Sequence, residues 1–194
     1  MPHIHTKPNQ HDITVSAYIV RNVDGGWKCL VHYHKKFDTL MQIGGHVELD
    51  ETPWKSLATE LMEEAGYSLA ELMIVQPTSR RVRESKPVNH PVPFASNTHY
   101  VGNQHYHSDF AYGFVAKNLP TMSVGDGESS DLRWMSIDEL MVAVEKGDAL
   151  RDMTYIYEFL VATIDEYAFV AGTDFSTDKP TGAEAEYKRG AVER

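Results

Sequence analysis

The sequence predicts an α/β fold in which a mixed β-sheet lies between helices. Three observations predict this fold: strand-like segments come first, a capped amphipathic helix follows them, and further strand-like segments precede two closing helices. With 194 residues, of which 42% are hydrophobic, the chain is long enough for one domain with a sizeable core. We expect a flexible N-terminal segment over residues 1–11, the domain over 12–172 and a polar C-terminal tail over 173–194.

The first strands are marked by their composition and by a turn signal. Residues 13–20 alternate loosely and include β-branched side chains, which predicts a strand. Asp24-Gly25-Gly26 favours a tight hairpin before a second strand over residues 27–34. Residues 40–43 predict a further strand that leads directly into a pair of glycines.

Residues 53–65 predict an amphipathic helix with clear ends. Thr52 suits the N-cap position, and Pro53 suits the first helical position because its missing N–H costs nothing there. Gly66 can take the left-handed conformation that ends many helices. Apolar side chains recur every three or four residues and predict one buried side, formed by Trp54, Leu57, Ala58, Leu61, Met62 and Ala65.

The second half of the chain predicts strands and then helices. Residues 71–75 predict a strand, and the prolines in residues 76–104 predict a long irregular segment, which in a compact domain is often functional. Residues 108–117 and 132–135 predict two more strands. Ser136 and Glu139 form a capping box that predicts a helix to Lys146. Residues 149–170 have helical apolar spacing without proline or glycine, which predicts the last helix.

The polar side of the first helix carries three glutamates, Glu60, Glu63 and Glu64. At about 100° per residue they fall within a sector of roughly 100°. Carboxylates this close repel one another unless a cation lies among them, and hard divalent cations such as Mg²⁺ take oxygen ligands. Taken alone, the three glutamates have a simpler explanation as the solvated side of an amphipathic helix.

The spacing around this helix favours the metal site. The positions that carry the spacing are Gly45, Glu51, Glu60, Leu61, Glu63, Glu64, Gly66 and Tyr67. They match eight of the nine defining positions of the Nudix box, a match that chance gives about once in 10⁸ windows. The chain therefore resembles Nudix hydrolases. The resemblance implies a Nudix α/β/α sandwich and a hydrolase, dependent on Mg²⁺ or Mn²⁺, of the pyrophosphate linkage between a nucleoside diphosphate and another group.

The resemblance also implies roles for particular residues. Glu60, Glu63, Glu64 and the main-chain carbonyl of Gly44 correspond to the family's metal ligands, and the same glutamates assist the chemistry. A loop later in the family fold often supplies a further carboxylate, sometimes the catalytic base. Glu128 and Asp131 stand in that region here, each with a solvated loop charge as the alternative explanation.

The ninth box position departs from the family pattern. Thr59 stands where the family usually has arginine, which is thought to orient the neighbouring carboxylates. Either the carboxylate cluster lacks this charge, or a lysine or arginine from elsewhere in the chain replaces it. The departure motivates an alternative function, a nucleotide-binding regulatory Nudix module with weak or no catalysis. A relative that acts on isopentenyl diphosphate is disfavoured, because the chain has no catalytic cysteine motif.

The substrate candidates lie in and after the proline-rich segment. Arg80 and Arg81 could clamp a phosphate, although exposed arginines are more often plain surface. His107 and Tyr112 are candidates for a substrate-facing rim, with ordinary strand residues as the alternative. His105-Tyr106-His107-Ser108-Asp109 offers a metal or acid–base cluster as one interpretation, but its spacing matches no firm zinc signature, and a polar strand or substrate-facing rim is the alternative. The sequence does not identify the nucleotide, which leaves ADP-ribose-like compounds, dinucleoside polyphosphates, nucleotide sugars and nucleoside triphosphates open.

Composition limits the classes of partner. A formal net charge of −10 argues against a nucleic-acid groove and against an anionic membrane surface. No apolar run approaches the length of a membrane span, and the single cysteine, Cys29, fits a reducing compartment. We expect a cytoplasmic protein that acts on a small nucleotide, and by analogy with many relatives a homodimer is possible.

Overall fold

The computed structural model describes residues 6–78, 89–102 and 105–179. Three helices lie in these residues, α1 (Pro53–Ala65), α2 (Ile137–Lys146) and α3 (Arg151–Thr163). The strands are β1 (His11–Val23), β2 (Gly26–His34), β3 (Thr39–Met41), β4 (Ile43–His46), β5 (Leu72–Pro77), β6 (Ala95–Val101), β7 (His105–Ala116), β8 (Leu132–Met135) and β9 (Tyr167–Ala171).

These strands form one mixed sheet organised around β1. The main order is β3-β2-β1-β7-β5-β9, and β4, β6 and β8 pair in addition with β1, β7 and β2 respectively. The long β1 runs parallel to β7, with His11 opposite Tyr106 and Val20 opposite Val115. The other strand pairs in the described residues are antiparallel. The predicted mixed sheet is therefore confirmed.

The sheet has a hydrophobic core on each face. Val15, Ala17 and Ile19 of β1 pack with the apolar side of α1. Tyr18 and Val20, which alternate with them, pack with residues of α2 and α3. Helices thus cover both faces of the sheet, which confirms the predicted α/β/α sandwich.

Two of the helices begin and end as the sequence predicts. In α1 the Thr52 hydroxyl accepts the N–H of Lys55, and Gly66 is left-handed with a φ of 68°. Ser136 and Glu139 form the reciprocal capping box of α2. The buried side of α1 was predicted one residue too wide, because Met62 is 46% exposed.

The third helix was predicted too long. α3 ends at Thr163, a 3₁₀ turn follows, and Tyr167–Ala171 is the strand β9. β9 pairs antiparallel with β5, so the sheet satisfies the backbone groups of this segment at its edge. An aromatic and β-branched run suits such an edge, and the helical spacing there is coincidental.

The segment over residues 76–104 was predicted to be irregular, and this is also corrected in part. β6 lies inside it and pairs with β7, with His99 opposite His107. β6 begins after the last proline of the segment, where the backbone can donate to the β7 edge again.

The chain beyond β9 returns to the core on the α1 side. Gly172–Asp174 form a 3₁₀ turn, and Phe175 is only 8% exposed. The ring of Phe175 contacts Trp54 with centroids 6.0 Å apart, and the Trp54 indole N–H donates to the Phe175 carbonyl at 3.2 Å. Across the described ranges, none of the helices has the length and apolarity needed to cross a membrane.

Candidate functional site

The candidate site lies where α1 crosses β4. β4 pairs with β1, which places Gly44 opposite Ser16 and Gly45 opposite Val15. Gly44 has a φ of 148°, and a Cβ there would lie 2.2 Å from the Val15 carbonyl oxygen. A Cβ on Gly45 would lie 2.1 Å from Oε1 of Glu60. Gly45 therefore allows the Glu60 carboxylate to approach β4 closely, and Gly44 allows β4 to lie close to the backbone of β1.

Glu64 is the most buried carboxylate of the three on α1. It is 6% exposed, and its Oε2 accepts the backbone N–H of Gly44 at 2.9 Å. This hydrogen bond joins the end of α1 to the glycine pair and fixes the orientation of the carboxylate. Glu60 is half-buried and Glu63 is exposed, so burial increases from Glu63 through Glu60 to Glu64.

Burial and mutual repulsion raise the pKa values of Glu60 and Glu64. Burial first, and then the charge of Glu60, raises the pKa of Glu64 to about 9, against the opposing hydrogen bond from Gly44. Burial and the charge of Glu63 raise the pKa of Glu60 to about 7. Glu128 contributes to both shifts, which places its charge near the pair.

These acids lack a lysine or arginine partner in the part of the chain that the structure describes. In residues 6–78, 89–102 and 105–179, none of the ion pairs joins a lysine or arginine to Glu60, Glu63 or Glu64. The carboxylate oxygens of Glu60 and Glu64 lie close together beside the glycine pair, and such oxygens are suitable ligands for a hard divalent cation. The cation would supply the missing positive charge. The residues present therefore fit a divalent metal.

One histidine of the site, His32, is interpreted from the sequence as an ordinary sheet residue in preference to a phosphate contact. His32 on β2 is 2% exposed, and its Nδ1 lies 3.9 Å from Oε1 of Glu64. Burial lowers the pKa of His32 to about 4, so the ring is neutral at pH 7 and does not offset the charge of Glu64. The alternation of β2 placed His32 and His34 on one strand face, but only the fold shows that this face lies behind α1.

A second cluster of side chains lies beyond Gly45 along β4. Nε2 of His46 is 3.1 Å from Nε2 of His107, which is itself 3.2 Å from Nε2 of His105. Burial and the neighbouring histidines lower the pKa of His107 to about 4. The sequence pointed to His105 and His107 but not to His46, because His46 is distant in sequence and meets them only through the pairing of β4 and β7 with β1.

Comparison with known proteins identifies the family. Residues 10–156 match the family model of the NUDIX domain. The chain belongs to the NUDIX family. The prediction of a Nudix hydrolase is confirmed, and divalent metals are what Nudix hydrolases generally use.

Several solved structures share this Nudix fold. A NUDIX-family hydrolase from Clostridium perfringens has a TM-score of 0.62 and 24% identity, over 79% of this chain and 97% of that chain. The binary complex of a C. elegans Ap4A hydrolase has a TM-score of 0.60 and 17% identity, over 79% and 98%. The NUDIX domain of Shewanella oneidensis NrtR complexed with ADP-ribose has a TM-score of 0.56 and 12% identity, over 84% and 93%. No curated protein matches the sequence.

Thr59, which departs from the Nudix box, forms a hydrogen bond within its own helix. The Thr59 hydroxyl donates to the carbonyl of Lys55 at 3.2 Å, within α1. Glu51, the outer glutamate of the box, accepts the hydroxyl of the buried Ser56 at 2.9 Å instead. The Thr59 hydroxyl thus bonds to the helix backbone, and Ser56 holds Glu51 in place.

The Nudix loop after β7 brings Glu128 to the rim of the site. Gly125 in this loop donates its N–H to the Glu63 carbonyl at 2.6 Å, which holds the loop against α1. The Glu128 side chain is exposed, and its carbonyl accepts Nζ of Lys35 at 3.1 Å. Lys35 is thus a cation beside the loop, although it forms no ion pair with the α1 glutamates.

The remaining predicted residues divide into three cases. His107 is half-buried on the sheet face opposite α1. Tyr112 is 3% exposed and packs in the core, with its ring 5.6 Å from that of Trp54, so the structure gives it a packing role beneath α1. Arg80 and Arg81 lie outside the described residues.

Proposed function

We propose that this Nudix chain is a hydrolase, dependent on Mg²⁺ or Mn²⁺, that cleaves the pyrophosphate linkage of a nucleoside diphosphate joined to another group. One observation carries the proposal. Glu64 is buried beside Glu60, against two glycines, with no lysine or arginine partner among the described side chains. A protein gains nothing in stability from such an arrangement unless a cation binds there.

The proposed division of roles follows from position. Glu60, Glu63, Glu64 and the carbonyl of Gly44 would hold the metal, which when bound polarises phosphoryl oxygens and lowers the pKa of water. Glu64 would be the most firmly oriented metal ligand, because the Gly44 N–H fixes its orientation. Glu128 reaches the rim from a different element, and we assign it the acceptance of a proton from the attacking water.

The substrate class rests on the net charge and on the relatives. A chain with a net charge of −10 favours a small nucleotide over a nucleic acid. Among similar folds, one is an Ap4A hydrolase and another is complexed with ADP-ribose. We therefore place dinucleoside polyphosphates and ADP-ribose-like compounds first, followed by nucleotide sugars and nucleoside triphosphates. Arg80 and Arg81 remain proposed phosphate contacts. The predicted substrate contact of His107 is not proposed further, because His107 lies on the sheet face opposite α1.

The test is a substrate panel. The purified protein is incubated with Mg²⁺ and each compound class, and the release of mononucleotide or phosphate is measured beside the Glu64→Gln variant. We expect turnover of at least one class by the wild type and loss of that turnover in the variant. Tight binding of one compound without turnover of any would instead support the nucleotide-binding module that Thr59 suggests.

A further inference from the structure

Three histidines converge on the sheet face opposite α1. His46 comes from β4, and His105 and His107 come from β7. Their ligand nitrogens all lie within 4.8 Å of one another. His105 is buried and the other two are half-buried, so the cluster is largely but not completely buried.

Hydrogen bonds alone satisfy this cluster poorly. A neutral imidazole has one N–H donor and one nitrogen lone pair. Nε2 of His107 faces Nε2 of His46 at 3.1 Å and Nε2 of His105 at 3.2 Å. Because this nitrogen carries either one proton or one lone pair, it can form a well-aligned hydrogen bond with only one of them.

The same distances suit a tetrahedral metal ion. Zn–N bonds of about 2.0–2.1 Å at tetrahedral angles place the ligand nitrogens about 3.4 Å apart. Two of the three nitrogen separations, 3.1 Å and 3.2 Å, are already close to this value. Imidazole nitrogens are ligands that Zn²⁺ favours, whereas Mg²⁺ prefers oxygen.

A buried carboxylate points independently to a cation at the same place. Asp12 on β1 is 5% exposed, and its Oδ2 has no hydrogen-bond partner within the described ranges. This oxygen lies 3.6 Å from Nε2 of His46, and Asp12 is the register partner of His107. A carboxylate oxygen buried without a hydrogen-bond donor needs a cation or another polar partner to satisfy it.

The histidine cluster is separate from the glutamates of α1. A Cβ on Gly45 would point at the carboxylate of Glu60, so this position of β4 faces α1. His46 is the next residue along β4 and faces the other side, because successive strand residues alternate. The two groups therefore lie on opposite faces of the same strand.

We propose that His46, His105 and His107, with Asp12 as a fourth ligand, form a binding site for Zn²⁺ distinct from the hard-cation site of α1. A bound ion would join β1, β4 and β7 beside the glycine pair. Such an ion would stabilise the folded chain by RT ln(1 + c/Kd), where c is the concentration of free Zn²⁺.

The test is a calorimetric titration of the full chain with ZnCl₂ in saturating Mg²⁺, so that the hard-cation site is already filled. We expect one Zn²⁺ per chain and a rise in Tm. His107→Ala and His46→Ala should each weaken binding at least ~10-fold, because even partners one step outside a metal's ligands contribute about 10–100-fold. Circular dichroism checks that the variants fold, and two variants on different strands guard against the failure of one.

The matched control is His11→Ala. His11 is an exposed histidine on β1 whose Nδ1 pairs with the Ser108 hydroxyl, so its loss should leave Zn²⁺ affinity unchanged. Absence of Zn²⁺ binding in the wild type would overturn the proposal, as would binding in both cluster variants equal to that of the wild type. Loss of Zn²⁺ binding in Glu64→Gln alone would place the ion at α1 and also overturn it. No readout depends on hydrolysis, so failure here leaves the proposed function untouched.

Discussion

At the scale of single residues, the proposed metal site depends on how Glu64 is held. Its carboxylate is buried, receives one backbone hydrogen bond and has acidic neighbours. The structure therefore orients Glu64 firmly and makes its ionised form costly unless a divalent cation binds beside it.

Glu64→Gln should abolish metal-dependent hydrolysis and leave the fold intact. The amide oxygen can still accept the Gly44 N–H, but it cannot supply the anionic ligand. We expect kcat to fall at least ~100-fold, the upper range for residues that only support metal ligands. Steady-state kinetics with Mg²⁺ and a thermal melt measure both effects, and full activity in the variant would refute the site assignment.

Thr59→Arg should preserve or raise metal-dependent turnover. The substitution removes only the hydroxyl bond to the Lys55 carbonyl and restores the charge that the Nudix box usually carries. Thr59→Val, which loses the hydroxyl without gaining a charge, is the matched control, and kcat/KM is compared among the three proteins. A sharp loss in Thr59→Arg alone would show that the site is built around threonine.

At the scale of elements, the site depends on the approach of α1 to β4. The ends of α1 and α2 could be predicted because caps are local: Thr52, Gly66 and the Ser136–Glu139 box act within one helical turn. β9 was not predicted because it exists through pairing with β5, which is distant in sequence. β6 was not predicted because its polar sequence directly follows the prolines of the segment predicted to be irregular. The glutamates were found from their spacing, whereas His32 and His46 enter their clusters only through sheet register.

Gly45→Ala tests this approach directly. The new Cβ would lie 2.1 Å from Oε1 of Glu60, so the carboxylate must move away from the strand. We expect Mn²⁺ affinity, measured by calorimetry, to fall at least ~10-fold while the protein still folds. Gly26→Ala is the control, because its nearest neighbour would be a carbonyl at an ordinary 3.7 Å. Equal affinity in the two variants would contradict the proposed contact.

At the scale of the whole molecule, the end of the described chain completes the core under α1. Phe175 packs against Trp54, which also contacts Phe114 and Tyr112. The residues after β9 thus contribute to the layer that supports α1, although their polar composition alone predicts a tail.

Phe175→Ala should destabilise the protein by about 3 kcal/mol, the low end for a buried phenylalanine. The variant leaves a cavity beside Trp54, and urea unfolding measures the change in free energy. Phe37→Ala is the control, because Phe37 is 59% exposed and its loss should cost within about 0.5 kcal/mol. Similar losses in both variants would argue against the packing role of Phe175.

Metal binding should also couple to pH and to the stability of the whole molecule. Burial raises the pKa of Glu64 to about 9 and of Glu60 to about 7, above the ordinary 4.5. Without metal, the folded protein holds protons that the unfolded chain has released, so these groups make stability fall as pH rises from about 4.5 to 9. A bound cation requires ionised carboxylates, so Mg²⁺ should raise Tm more at high pH than at low pH. A pH-independent Mg²⁺ effect, or the same pH profile in Glu64→Gln, would contradict this linkage.

The most direct test of the central claim is the anomalous scattering of crystals soaked in Mn²⁺. We expect Mn²⁺ bound by Glu60, Glu63, Glu64 and the Gly44 carbonyl in the wild type, and loss of that signal in Glu64→Gln. Crystals that show these carboxylates apart, with no ion between them at saturating Mn²⁺, would contradict it.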